Sequence, residues 1–233
     1  MKILYIYPHP DDESFGPAHA MSKQRREGHE VYLLTLTKGG ATKQRYKLGY
    51  TVEEMGEIRK KEMDDVAQVL DLSGMTVLDL PDSGLKEMDP RKIEEVVRAE
   101  IEKIEPAVVV TYPVHGISGF HDHLVCHAVV KRVFLEMKES VEYLKRLAFI
   151  TLTEEQASRG TLFHLSGSKE EEIDCMYEVD ELDMVNCRKA LDCYVTFKET
   201  IDNSRIKDFI NSHTFFEIYQ EEHSPPLKDL FTF

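Results

Sequence analysis

Residues 7–13 concentrate groups that can bind a metal or move a proton. The stretch reads Tyr-Pro-His-Pro-Asp-Asp-Glu and places the imidazole of His9 and the carboxylates of Asp11, Asp12 and Glu13 within five positions. Carboxylates this close repel one another unless a cation or a proton offsets their charge. A capped helix start would explain one aspartate, but not the whole group. Because imidazole nitrogen and carboxylate oxygen are both common zinc ligands, the segment predicts half of a metal site.

A second group of candidate ligands lies at residues 121–127. His121, His123 and His127 fall within seven residues, and the last two are four apart, on one face of a predicted helix. That spacing can supply two metal ligands, although simple packing would also explain His127. Three histidines so close together favour a functional role. Together, the two groups predict a divalent metal that assists a hydrolysis.

The predicted elements bring both groups to one edge of a sheet. Strands are predicted over residues 2–7, 30–37, 76–80, 107–112 and 147–152. Helices are predicted over residues 15–27, 52–70, 89–104 and 122–137. Alternating strands and helices with nearly all-apolar strands imply an α/β, Rossmann-like fold, in which helices cover both faces of a mostly parallel sheet. Ligands bind outside the carboxyl ends of such strands, and each group of candidate ligands follows a strand.

The last third of the chain is less regular. Residues 168–183 are strongly acidic, residues 183–200 predict a helix, and residues 215–219 predict a late edge strand. Since neither a repeat nor a linker divides the sequence, we expect a single domain over residues 1–233 with an irregular C-terminal extension.

Composition limits the classes of partner and compartment. The formal net charge of -14 disfavours a nucleic-acid binder. The basic stretch 38–47, which contains Lys43 and Arg45, would attract an anionic substrate, or would simply be a solvated loop. The sequence shows neither a signal-peptide pattern nor an apolar run of about 20 residues, the length needed to span a membrane. Its four cysteines form no CxxC pair. These features predict a reduced, cytoplasmic protein without a membrane partner.

On these motifs the chain resembles the LmbE-like, or PIG-L, family of zinc-dependent N-deacetylases, which act on N-acetylglucosamine conjugates. Residues 8–16 are similar to the family's (A/P)HPDDE signature with its following glycine. Further similarities lie at 28–31, at 35–39, at Arg59 with Glu62, and at 80–82. The resemblance covers about the first 130 residues well and the remainder poorly.

The resemblance implies a role for several residues of this chain. His9, Asp12 and His123 match the family's zinc ligands. Asp11 matches its general base, and Arg59 matches an arginine of its substrate pocket. In the implied mechanism, zinc lowers the pKa of a water molecule and the aspartate takes the proton, so that the water attacks an acetamide. Iron(II) or cobalt(II) can occupy similar ligands.

One departure from the family pattern concerns the proton donor. Where the family usually has Gly-His-Pro-Asp-His, residues 119–123 read Gly-Phe-His-Asp-His. Phe120 thus replaces a histidine, and His121 is the candidate for its catalytic role of stabilising the oxyanion. Asp122 is expected to act in catalysis by orienting a histidine.

The expected substrate is a small N-acetylglucosamine-type glycoside with an anionic part held by Arg59, Lys43 and Arg45. Two alternatives stay open. One is another metallohydrolase with one or two metals, such as a phosphoesterase. The other is a metal- or sugar-binding protein without catalysis, an alternative that Phe120 keeps open. A homo-oligomer is suggested only by the resemblance.

Overall fold

The computed structural model describes residues 1–160 and 162–233, which form a seven-stranded sheet between layers of helices. The strands are β1 (Lys2–Tyr7), β2 (Glu30–Thr37), β3 (Gly74–Leu80), β4 (Val108–Thr111), β5 (Arg146–Thr151), β6 (Cys175–Glu178) and β7 (His213–Ile218). Their order across the sheet is β3-β2-β1-β4-β5-β7-β6. Strands β1 to β5 run parallel, and β7 is antiparallel to both of its neighbours. The predicted α/β fold with a mostly parallel sheet is therefore confirmed.

The helices differ in length and in what ends them. They are α1 (Asp12–Phe15), α2 (Ala18–Arg26), α3 (Gln44–Leu48), α4 (Val52–Val69), α5 (Pro90–Ile104), α6 (His121–Lys138), α7 (Glu154–Ser158), α8 (Glu181–Cys193), α9 (Lys198–Ser204) and α10 (Ile206–Phe209). The predicted helix over 15–27 is divided by Gly16 and Pro17, because proline lacks the N–H that would continue α1. The helix predicted over 183–200 ends at Cys193 and is followed by a 3-10 turn, Val195–Phe197. Within the described part of the chain, no helix is both long and apolar enough to cross a membrane.

The C-terminal part of the sheet differs from the expectation. The predicted edge strand over 215–219 is β7, and it lies between β5 and β6. The edge is β6, which comes from the acidic stretch, where Cys175 and Tyr177 are buried and Met176 and Glu178 are exposed. This alternation has the period of two that a strand requires, but acidic neighbours obscure it in the sequence. The C-terminal third thus contributes two strands to the sheet, with helices and turns between them.

Central strand β1 carries two apolar cores on its opposite faces. Tyr5 and Tyr7 pack into the core that α2, α4 and α8 cover, whereas Leu4 and Ile6 pack into the core covered by α5 and α6. All four side chains are fully buried. A strand that is apolar on both faces holds its carboxyl end firmly in place, and the first candidate ligand follows that end by two residues.

Candidate functional site

The carboxyl ends of β1 and β4 bring three predicted metal ligands together. Asp12 Oδ2 lies 3.5 Å from His9 Nδ1, and Asp12 Oδ1 lies 3.4 Å from His123 Nε2. One ligand atom from each of the three side chains lies within 4.8 Å of the others. Two imidazoles and one carboxylate suit zinc, whose catalytic sites use about three protein ligands and leave one position open.

Surrounding groups hold the ring of His123 in an orientation that suits a ligand. Its Nδ1 lies 2.9 Å from the carbonyl oxygen of Gly116, to which a proton on that nitrogen is donated. The ring stacks on Tyr112, with 4.1 Å between the centroids. When the ring is neutral and its proton is on Nδ1, the lone pair of Nε2 lies on the side of Asp12. Hydrogen bonds of this kind fix the tautomer of metal-binding histidines.

His9 lies between the carboxylate of Asp12 and two further carboxylates. Its Nε2 is 3.2 Å from Asp122 Oδ2 and 3.4 Å from Asp82 Oδ1. Burial lowers the pKa of His9, but the hydrogen bonds with Asp12 and Asp122 outweigh it and raise the pKa to about 10. Asp122 therefore lies where it can orient a histidine. Asp82 was not among the predicted site residues, although the turn at 80–82 was the signal that pointed to it.

Asp12 is held as a carboxylate by its neighbours. It accepts hydrogen bonds from the backbone N–H of His9 at 2.9 Å and from the hydroxyl of Tyr112 at 2.8 Å. Burial raises the pKa of Asp12, but His123 and His9 outweigh burial and hold that pKa well below its usual range. Tyr112 has no signal of its own in the sequence, because it reads as the last residue of an apolar strand.

Asp11 adopts a backbone conformation that is uncommon for a residue with a side chain. It precedes α1 with φ 82°, in the left-handed region. Burial raises the pKa of its carboxyl group to about 7, while the charge of Arg59 acts in the opposite direction. Asp11 lines the same cavity as the three candidate ligands. A carboxylate that gains and loses its proton near neutral pH is suited to proton transfer.

Arg59 holds the loop that carries Asp11. The residue is only 2% exposed. Its guanidinium donates to Asp11 Oδ2 at 2.5 Å, to the carbonyl of Pro10 at 2.8 Å and to the carbonyl of Gly39 at 3.0 Å. Its other side packs on the ring of Phe197, 4.1 Å from the centroid. Since the chain itself occupies so much of the guanidinium, this placement favours a positioning role over the predicted contact with substrate.

The structure does not bring the basic side chains of residues 38–47 to the cavity, although Thr42 of this stretch lines it. Lys43 is exposed, and Arg45 lies 3.9 Å from the ring centroid of Tyr46 and donates to its hydroxyl. Neither Lys43 nor Arg45 lines the cavity. The reason is that α3 carries this stretch outward, so the alternative of a solvated loop describes it better.

His121 and His127 also lie outside the ligand cluster. His121 is exposed at the first position of α6 and does not line the cavity, whereas Phe120 does. Two residues along a helix are about 200° apart, so His121 and His123 cannot face the same side. His127 shares the face of His123, but its Nδ1 contacts the carbonyl of Tyr112 at 2.9 Å, one turn away from the cluster. From these positions, neither side chain reaches the three clustered ligands.

The C-terminal third is anchored to the site by two buried carboxylates. Tyr194 donates its hydroxyl proton to Glu13 Oε1 at 2.6 Å, and Glu13 is fully buried. On α4, Glu62 accepts hydrogen bonds from the backbone N–H and from the hydroxyl of Thr196, each at 2.7 Å. The similarity at Arg59 with Glu62 therefore has a structural basis, because one side chain holds the Asp11 loop and the other holds residues 194–197.

We expect Glu62→Leu to lower the free energy of unfolding by about 1–3 kcal/mol, because Thr196 loses the acceptor for two hydrogen bonds. Urea unfolding followed by circular dichroism measures the change. Glu102→Leu is the matched control, since Glu102 is an exposed glutamate of α5. Equal stability of the two variants would contradict the anchoring role.

The ligand cluster opens into a cavity of about 380 Å³. One end is lined by His9, Asp11, Asp12, Arg59, Asp82 and His123, named here the polar end. The remainder is lined mainly by apolar residues from the end of β5 and from the C-terminal third. They include Ile150, Leu152, Leu162, Phe163, Phe209 and Ile210, named here the apolar wall. The site thus joins a metal-binding arrangement to a largely hydrophobic space.

Comparisons with known proteins found a matching family model and similar curated relatives. The family model described as PIG-L, GlcNAc-PI de-N-acetylase, matches residues 4–134. Mycothiol S-conjugate amidase of Streptomyces coelicolor is 30% identical over 161 residues, which cover 61% of this chain and 55% of the relative. A probable N-acetyl-alpha-D-glucosaminyl L-malate deacetylase 2 of Bacillus subtilis is 29% identical over 140 residues, covering 59% and 62%. The chain therefore spans between half and two thirds of the length of these curated relatives.

The fold of a solved structure extends the similarity beyond the matched segment. A deacetylase of the teicoplanin biosynthesis pathway superposes with a TM-score of 0.74, covering 95% of this chain and 99% of its own. Its sequence identity is 13%, so this likeness concerns the fold alone. Because it covers 95% of this chain, it reaches beyond residues 4–134, the segment that the family model matches.

Proposed function

Because the chain belongs to the PIG-L family, we propose that it is a metal-dependent hydrolase that removes the acetyl group from a small N-acetylglucosamine-type conjugate. The observation that carries the proposal is the convergence of His9, Asp12 and His123 within 4.8 Å, beside a carboxylate suited to proton transfer. The relatives' names supply the reaction class. We assign no role in this reaction to Lys43 or His121, since both side chains are exposed.

We assign His9, Asp12 and His123 as the ligands of a divalent metal, with zinc as the first candidate. The orientation of the two rings supports this fit, because His123 directs Nε2 and His9 directs Nδ1 towards Asp12. A metal held there would polarise the amide carbonyl and make a water molecule more acidic. The second group of possible ligands, His9 with Asp82 and Asp122, shares the same ring, and we assign its carboxylates to orienting that ring.

Asp11 is assigned as the general base. Arg59 engages Oδ2 of Asp11, which leaves Oδ1 to take a proton from water. The same oxygen can then return the proton to the leaving amine, so that no second acid is needed. The apolar cavity beside it limits competing water around the reacting amide. This assignment accounts for the reaction although Phe120 replaces the family's usual histidine.

The test is metal-dependent release of acetate from a panel of N-acetylglucosamine conjugates, neutral and anionic, with metal content measured in parallel. We expect release with metal-replete protein, loss of release after chelation, and recovery on adding one equivalent of zinc. The absence of release from every conjugate, with metal bound and the fold intact, would overturn the proposal. Two metals per chain, together with hydrolysis of phosphoesters, would favour the alternative metallohydrolase.

We expect Asp122→Asn to weaken metal binding by about 10- to 100-fold, since the neutral amide makes the ring of His9 a poorer ligand. Asn keeps the shape of the side chain, which is 3% exposed. Competition with a chromophoric chelator measures the affinity. Asp79→Asn is the control, because Asp79 pairs with Lys38 on the surface. An unchanged affinity in Asp122→Asn would show that this carboxylate does not support a metal ligand.

A further inference from the structure

The apolar wall has the character of a binding surface. Leu162 is 43% exposed, Phe163 is 41% exposed and Phe120 is 47% exposed, and all three line the same cavity. Large apolar side chains that stay exposed together around one concave space are typical of a ligand site, because exposed apolar area is unfavourable in water. The cavity volume of about 380 Å³ also falls within the range of small-molecule sites.

The apolar wall is continuous with the metal ligands. Phe120 packs edge-on against His123, with 5.5 Å between the ring centroids. It also packs edge-on against Phe163, at 5.7 Å. A substrate whose amide lies at His123 therefore meets an aromatic surface immediately beside it. Phe120, which departs from the family pattern, thus contacts both the polar end and the wall.

Charge on the wall is low, which bears on the substrate. Among the described residues that line the cavity outside the polar end, Arg159 is the one lysine, arginine, aspartate or glutamate. Its guanidinium is paired with Glu155 of α7, the helix that ends just before Arg159. An anionic substituent would find little to compensate its desolvation here, whereas an apolar substituent would lose only contact with water.

We propose that the apolar wall binds an alkyl or aryl group carried by the sugar substrate, so that the protein selects hydrophobic conjugates. This inference rests on the proposed function, since it names the substrate class of the same site. The hydrophobic group can belong to the aglycone or to the N-acyl chain, because both give the same chemistry at the wall. It replaces the sequence-based expectation of an anionic substituent held by Lys43 and Arg45.

Two substrate series distinguish the sources. One keeps the N-acetyl group and lengthens the glycoside from methyl to butyl to octyl; the other keeps the methyl glycoside and lengthens the N-acyl chain over the same range. Appearance of the free amine measures turnover in both. We expect KM to fall in one series by on the order of threefold for each methylene buried. A KM that is independent of length in both series would overturn the inference.

A binding measurement separates this inference from the proposed function. Octyl β-glucoside has no amide, so its binding to the metal-replete protein does not depend on turnover. By calorimetry below the micelle concentration, we expect it to bind at least about tenfold more tightly than methyl β-glucoside. Tight octyl glucoside binding without hydrolysis of any conjugate would support the apolar wall as a binding site and would overturn the proposed deacetylase function. Hydrolysis of a conjugate without any preference for octyl over methyl glucoside would support the deacetylase function and would overturn the binding role of the apolar wall.

A matched pair of variants locates the binding surface. Leu162→Gln places an amide on the wall, whereas Leu135→Gln makes the same change at a leucine of α6 that does not line this cavity and is 41% exposed. We expect the preference for octyl over methyl to fall severalfold in Leu162→Gln and to be unchanged in Leu135→Gln. Phe209→Gln is a second cavity variant with the same expectation. An unchanged preference in both cavity variants would overturn the proposal.

Discussion

Asp11→Asn is expected to lower kcat for amide hydrolysis by about 10²- to 10⁴-fold, the usual contribution of a positioned general base. The physical reason is that an amide cannot take the proton from water. Arg59 can still donate to the Asn side-chain oxygen, so the loop and the neighbouring metal ligands should stay in place. Acetate release from a conjugate that the wild type hydrolyses measures the effect.

The control for Asp11→Asn is the same change at Asp79, a surface residue whose carboxylate is paired with Lys38. Metal content is measured for both variants, and we expect one equivalent in each. Loss of metal from Asp11→Asn would indicate that Asp11 is a metal ligand and not the general base. A kcat within tenfold of the wild type would remove Asp11 from the mechanism.

His123→Ala is expected to weaken metal binding by more than about a hundredfold. Changing a group that only orients a ligand costs about 10- to 100-fold, and removing the ligand itself should cost more. The remaining pair, His9 and Asp12, gives fewer ligands than a catalytic zinc site uses. Metal content after dialysis and the rate of acetate release should fall together.

His127→Ala is the matched control for that change. Both histidines are buried and lie on the same face of α6, but the Nδ1 of His127 contacts the carbonyl of Tyr112 and its ring packs against Phe149. We expect lower stability with normal metal content. Equal loss of metal from the two variants would contradict the choice of His123 over His127 as the ligand.

The parallel part of the fold could be predicted because its signals are local. The all-apolar strands and the helical spacing of α4 and α5 each lie within one short stretch, and the candidate ligands follow strand ends directly. By contrast, β6 alternates over only four residues within an acidic stretch. A strand that short depends on its partner β7 more than on its own sequence.

The partners within the site could not be predicted from the sequence alone. Asp82 follows β3 and Tyr112 follows β4. Their contacts with the ligands depend on how the sheet is ordered and twisted. The outward position of His121 follows from where α6 begins, a boundary that sequence patterns place only to within a few residues. The apolar wall is formed by segments distant in sequence, so its hydrophobic residues read as ordinary core.

The hydrogen bond between Glu13 and Tyr194 has a consequence for folding during translation. These residues are 181 positions apart, and each side chain is fully buried. A ribosome therefore releases the HPDDE segment and all three metal ligands long before the hydroxyl that completes the pocket of Glu13 has been synthesised. We expect nascent chains to hold an uncovered carboxylate beneath the site until translation has passed α8, so that the active site matures late although its residues come first.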